Sequence, residues 1–164
     1  QLVAAMNPCP CGYHGDRSGR CHCTPDQIRR YQGRISGPLL DRIDLQVEVA
    51  RIPSEVLAGK KNGAVEGSAI VRLRVERAHK RQLERQGVPN GQLQGDRLEE
   101  ACGLGDEEMR FLVDAIDSLG LSARAYHRVL RVARTIADLA EDDWVSMSHL
   151  AEALSFRKMD RQGL

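Results

Sequence analysis

The chain has 164 residues, 41% of them apolar, which is enough for a packed core and sets a disordered chain aside. With 24 basic and 23 acidic side chains the formal charge is +1, so total charge names no partner and only its local distribution can. Aromatic residues make up 4%, which leaves no evident stacking platform for single-stranded nucleic acid, and no apolar run reaches transmembrane length, so no membrane partner is expected.

The first element is an apolar run, Leu2, Val3, Ala4, Ala5 and Met6, bounded by Asn7 and Pro8. It reads as a buried parallel strand ending at a loop. Such a strand needs neighbours on both sides and few others are in view, so the expectation is a piece of a larger α/β protein.

Next come Cys9, Cys11, Cys21 and Cys23, two Cys-x-Cys pairs separated by a segment with Gly12, Gly15 and Gly19 and no apolar periodicity. Each pair can aim two sulfurs at one ion, whereas a disulfide within a pair would close a strained ring. Structural zinc held by four thiolates is the first reading, since four protein ligands leave no open position for a catalytic water. Reduced structural thiols, disulfides crossing between the pairs, and His14 or His22 in place of one cysteine are the alternatives. No signal peptide is evident ahead of the cysteines and Cys102 is left over, which favours a reducing cytoplasm.

Thr24, Pro25 and Asp26 predict a capped helix running to about residue 34, stopped by Ser36, Gly37 and Pro38. Leu39 to Arg42 reads as a turn of helix or a loop. Ile43, Leu45, Val47 and Val49 then alternate with polar or small residues and predict a second strand. Residues 51–67, with Pro53, Gly59, Gly63 and Gly67, read as a connector at a domain boundary.

The rest is helical. The expected helices cover 68 to about 86, 93 to 101, 106 to Gly120, Ser122 to about 140, and Ser146 or Ser148 to 157. The first carries Arg72, Arg74, Arg77, Lys80, Arg81 and Arg85, either a solvated face or a phosphate-binding stripe, with the solvated face favoured. On the Ser122 helix, Arg124, Arg128, Arg131 and Arg134 share a face. They either pair with acids such as Asp138 or Glu141, or present Arg124, in the first turn, to an anion.

Three blocks taken together carry a resemblance: Leu2 to Gly12; Ser36 to Leu45, reading SGPLLDRIDL; and Leu121 to Tyr126 with Ala133 to Leu139. In this order they closely resemble the C-terminal part of the magnesium-chelatase-like AAA+ ATPases, in the branch of the bacterial competence proteins, which the cysteine loop favours over the true chelatases. The resemblance implies residues 1–50 as the end of a nucleotide-binding core with a zinc loop at 8–24, 51–67 as connector and 68–164 as a helical lid. It implies Asn7 as the sensor-1 amide that orients the attacking water. Arg42 would be the arginine finger reaching a neighbour's nucleotide, and Arg124 the sensor-2 arginine on the bound phosphates. From local sequence alone, a salt bridge from Arg42 to Asp41 or Asp44 is the plainer reading.

A ring homo-oligomer, a hexamer by expectation, acting on DNA with ATP and Mg²⁺ follows for the full-length parent. This chain has no G-x-x-x-x-G-K-[ST] motif: the Gly59-Lys60 pair has Ser54 and Lys61 where glycine and a hydroxyl are required. It also lacks an apolar strand ending in paired acids, so alone it is expected not to hydrolyse ATP. The competing reading is a self-contained, zinc-stabilised nucleic-acid-binding module that makes its phosphate contacts through the basic helix.

Overall fold

The computed structural model describes residues 1–16, 19–40, 42–50, 52 and 66–157. Among them every regular element is a helix: α1 (Pro25–Gln32), α2 (Gly37–Leu40), α3 (Ser68–Gln86), α4 (Asp96–Cys102), α5 (Asp106–Leu119), α6 (Ala123–Leu139) and α7 (Met147–Ser155), with a 3-10 turn at Asn90–Gln92.

Local chemistry sets their ends. The Thr24 hydroxyl accepts from the Gln27 backbone N–H at 3.3 Å while the Gln27 side-chain oxygen Oε1 accepts from the Thr24 N–H at 2.9 Å, so two otherwise orphaned donors are satisfied reciprocally ahead of Pro25. At the start of α7, the Ser146 N–H donates to His149 Nδ1 at 3.1 Å. Gly103 ends α4 in the left-handed conformation, at φ 57°, and the ring of Trp144 lies against it. A Cβ there would stand 2.3 Å from that ring, so both the backbone angle and the packing require glycine.

α6 is the axis of the C-terminal helices: α3, α4, α5, α7 and the 3-10 turn all pack on it, and α5 also meets α7. Its Val129, Leu130, Ala133 and Ala137 are buried with Leu93, Leu98, Cys102, Leu112, Val145 and Leu150. Each fully buried leucine contributes about 2 kcal/mol by removal of apolar surface from water. The alanines of α6 let its neighbours approach closely.

Beside this apolar core lies a buried polar knot. Asp138, with no exposed surface, accepts from Arg85 Nη1 at 2.6 Å, Asn90 Nδ2 at 2.8 Å and Arg134 Nη2 at 3.1 Å. Arg134, equally buried, also donates to the carbonyls of Asp142 and Asp143 at 2.7 Å. The knot thereby ties α3, the 3-10 turn, α6 and the loop after α6 into one body. Buried charge is tolerated here because both signs are present and each makes several hydrogen bonds.

The strands expected near 1–7 and 43–50 do not form among the described residues, and the α/β reading is corrected to an all-helical one. An apolar alternation is only half of a strand; the other half is a neighbouring backbone to bond with. Leu2 and Val3 are 70% and 85% exposed, and Val49 is 84% exposed, so these apolar side chains are not covered by a neighbouring strand among the described residues. The expected connector falls, for 51 and 53–65, outside the described residues, and so do 158–164 at the end of the expected lid. No described helix is long and apolar enough to cross a membrane.

Candidate functional site

The two Cys-x-Cys pairs fold onto one point. A turn in which the Gly12 N–H donates to the Cys9 carbonyl at 3.0 Å brings Cys11 back beside Cys9, and their sulfurs are 3.3 Å apart. Cys21 Sγ stands 3.9 Å from Cys9 and 3.6 Å from Cys11, and all four sulfurs, Cys23 included, lie within 4.8 Å of one another. A tetrahedral ion bound at about 2.3 Å from each sulfur would space them by about 3.8 Å, so the cluster could hold a metal ion. All five cysteines are free in the structure, with no disulfide crossing between the pairs. His14 contributes its backbone N–H, donated to Cys9 Sγ at 3.3 Å, and lies outside the cluster of candidate ligands, as does His22.

The thiols do not share one affinity for protons. The backbone N–H groups of Tyr13 and then His22 pull Cys11 down to about 6. Cys23 is pushed up to about 12 despite the Cys11 N–H, because burial and the neighbouring Cys11 and Cys9 sulfurs oppose a further negative charge. Crowded thiols without a cation ionise one at another's expense; a divalent cation favours the thiolate at every ligand.

The loop is braced at both ends. Arg20 lies over the Tyr13 ring, 4.3 Å from its centroid, and pairs with Asp16 at 3.1 Å. Gln32 of α1 donates to the Pro8 carbonyl at 3.0 Å. Asn7 is exposed, and its amide stands 3.8 Å from where a Gly12 Cβ would lie, so the side chain that precedes the cysteines rests on the turn they form.

Arg42 follows α2. It is exposed, and its Nη1 donates to the Pro38 carbonyl at 2.6 Å. Asp44, one of the two acids that local sequence offered it, is bound instead by Arg128 of α6; Asp41 lies outside the described residues. Arg124, in the first turn of α6, is exposed, and its side chain makes no hydrogen bond or ion pair with another described residue.

The other arginines of the expected α6 face divide differently. Arg131 donates to the Leu93 carbonyl at 3.0 Å, and Arg134 lies in the buried knot, paired with Asp138 as its spacing allowed. The shared face is therefore not one solvated stripe. Its N-terminal end is exposed and its C-terminal end is core. On α3, Arg74 pairs with Glu66, Arg77 with Glu141, Lys80 with Glu84, Arg81 with Asp143 and Arg85 with Asp138. This favours the solvated face over a phosphate-binding stripe.

The four cysteines are thus brought together; Arg124 lies on α6, and Arg42 stands two residues before Asp44, which Arg128 of α6 binds. No hydrogen bond or ion pair among the described residues links Asn7 to either arginine. Sequence reasoning missed Arg157, which is 1% exposed and donates through Nη1 to the Ile43 carbonyl at 2.6 Å. The signal was an arginine directly after an apolar helix turn, where solvent exposure is the default expectation. Surface depressions of about 580 Å³ on α3, lined by Val71, Arg72 and Val75 among others, and about 300 Å³ between α5 and α7 include none of Asn7, Arg42 or Arg124.

Residues 65–157 match the family model described as magnesium chelatase, subunit ChlI C-terminal, and residues 1–57 match that described as magnesium chelatase, subunit ChlI. Over 161 residues, 98% of its length, the chain is 46% identical to the competence protein ComM of Haemophilus influenzae. It is 45% identical, over the same share, to the uncharacterized protein YifB of Salmonella typhimurium. An uncharacterized protein of Mycobacterium bovis is 36% identical over 162 residues. The chain spans 31% of the length of each of these relatives.

Proposed function

Because the chain belongs to the magnesium chelatase ChlI family, we propose that it is the C-terminal portion of an AAA+ ATPase of the competence-protein type, working as a ring and coupling ATP hydrolysis to remodelling of DNA. In this reading residues 1–50 close the nucleotide-binding core and 68–164 form the lid. The nucleotide-binding loop and the acids for Mg²⁺ belong to other parts of the parent. The exposed apolar side chains of Leu2, Val3, Val47 and Val49 support a segment built to be covered by such parts.

ATP with Mg²⁺ supplies the phosphoryl group whose transfer to water drives the cycle. Asn7 orients the water: an uncharged amide can hold it by hydrogen bonds without competing for its proton. Arg42 reaches the neighbouring subunit's phosphoryl oxygens, where its planar fork of donors spreads positive charge as the transition state develops. Arg124 meets the phosphates of its own subunit's nucleotide, aided by the free N–H groups of the first turn of α6. Cys9, Cys11, Cys21 and Cys23 would hold one zinc ion, whose part would be structural, fixing the loop against the Asn7 segment.

The observation that carries this reading is the state of the two arginines. Asp44 is engaged by Arg128, and Arg42 and Arg124 both stand exposed, with guanidinium groups that no described acid neutralises. A finger of this kind is worth on the order of 10³ to 10⁵ in rate. In the full-length protein, Arg42→Ala is therefore expected to keep nucleotide binding and to lose turnover. Mixing it with subunits that cannot hydrolyse ATP but retain Arg42 restores part of the activity, because the finger acts on a neighbour. Full turnover by the variant alone, or no restoration in mixed rings, overturns the assignment.

A further inference from the structure

The backbone on both sides of Arg42 is held, and the two holds lead to different places. Ahead of it, the Arg42 N–H donates to the Leu39 carbonyl at 3.0 Å and the Ile43 N–H to the Leu40 carbonyl at 2.9 Å, continuing the turn of α2. Beyond it the chain is fastened to the C-terminal helices by three bonds in four residues. Arg157 Nη1 grips the Ile43 carbonyl at 2.6 Å, Arg128 of α6 pairs with the Asp44 carboxylate, and the Gln46 N–H donates to the Phe156 carbonyl at 3.0 Å.

These bonds connect segments more than eighty residues apart in sequence. Two of the three are made by guanidinium groups with little exposure: Arg157 is 1% exposed, and the Arg128 side chain 22%. At the buried Arg157 a charge-assisted hydrogen bond is stronger and more directional than an exposed one, whereas the Asp44 carboxylate that Arg128 holds is 52% exposed. Arg128 also stands one turn after Arg124 on the same face of α6. One short stretch of one helix therefore carries both the arginine assigned to the subunit's own nucleotide and the arginine that holds the finger segment.

We propose that Arg128 and Arg157 are positioning residues that clamp the Ile43–Gln46 segment to the lid, so that the state of a subunit's own nucleotide, read by Arg124, sets whether Arg42 reaches the nucleotide of the neighbouring subunit. The proposal rests on the assignment of Arg42 and Arg124 made above. A lid that moves with its nucleotide must carry Ile43 and Asp44 with it. Arg42 lies one residue from that anchor, so a small displacement of α6 becomes a displacement of the finger. In the structure Arg42 is folded back onto the Pro38 carbonyl, a position from which it must be released to reach another subunit.

The test uses full-length protein and the single variants Arg128→Gln and Asp44→Asn, the double variant, and the charge exchange Asp44→Arg with Arg128→Asp. Misplacing a catalytic group by about 1 Å costs on the order of 100-fold. Each single variant is expected to lower kcat by about 10- to 100-fold with nucleotide affinity and melting temperature little changed. The double variant falls no further than either single one, and the charge exchange recovers part of the loss. In mixed rings the Arg128→Gln subunits are rescued by hydrolysis-dead subunits that retain Arg42, as Arg42→Ala subunits are, because in both the missing element is a finger delivered in trans. Wild-type kcat in the single variants alongside an inactive Arg42→Ala overturns the clamp and leaves the finger standing, whereas a fully active Arg42→Ala overturns the finger itself. Additive losses in the double variant, with no recovery on charge exchange, also overturn the clamp.

Discussion

Asp138 shows how one residue can hold four parts of a chain. Burial alone would raise its carboxyl above the ordinary range, but hydrogen bonds from Arg85 and Asn90 and the charge of Arg134 outweigh that and hold it below. Replacing it with alanine leaves the fully buried Arg134 without a counter-charge, and breaking a buried pair in this way costs about 3–5 kcal/mol. Urea unfolding of Asp138→Ala is expected to show a loss of that size, and a loss under about 1 kcal/mol would mean that the knot relaxes around the gap. The acid dependence has a definite sign. A carboxyl with a depressed folded value contributes fully above its unfolded value of about 3.9, and that contribution fades as pH falls through the folded value. Asp138→Asn is therefore expected to flatten the fall in stability below about pH 4, measured by the same unfolding at stepped pH.

At the scale of elements, the cysteine loop and the helices stand on different supports. The described residues of 8–24 contain no helix or strand and bury Cys9 alone among their apolar side chains, whereas α3 to α7 share a continuous core. Metal analysis is expected to find one zinc ion per chain. Chelation is then expected to raise amide exchange across 8–24 while the far-UV signal of α3 to α7 persists; loss of the whole helical signal, or a metal-free protein with the loop still protected, would contradict it.

The same contrast explains what was legible beforehand. Helix limits were, because caps such as Thr24-Pro25 and stops such as Gly120 act within a few residues of themselves. The sulfur cluster was, because two Cys-x-Cys pairs joined by a short glycine-bearing loop leave few ways to fold. The strands were not, because the alternation at Ile43 to Val49 records a face and says nothing of the partner that would pair with it. Nor was the Arg157–Ile43 bond, since a contact across more than a hundred residues leaves no periodicity to read.

For the molecule as a whole, the distribution of charge decides whether it binds nucleic acid unaided. α3 has a row of cations, but Glu66, Glu84, Asp138, Glu141 and Asp143 are placed against Arg74, Lys80, Arg85, Arg77 and Arg81. Apart from Arg85 with the buried Asp138, these are exposed pairs worth only about 0–1 kcal/mol each, so they can open. Opening does not remove the acids, however. They stay beside the helix and cancel the field that would draw in a phosphate backbone. Salt dependence reports the number of phosphates neutralised, with a slope of about −0.9 per contact on duplex DNA. This chain alone is expected to bind DNA weakly, with a slope no steeper than about −2, while the full-length ring binds with a steeper one. Tight binding by the chain alone with a slope beyond about −5 would show α3 to be a phosphate-binding surface and would restore the self-contained module as the better account. The weak result is the one expected if DNA binding belongs to the proposed ring, where many subunits would present the same sparse cations to one duplex and each contact would be multiplied by the symmetry.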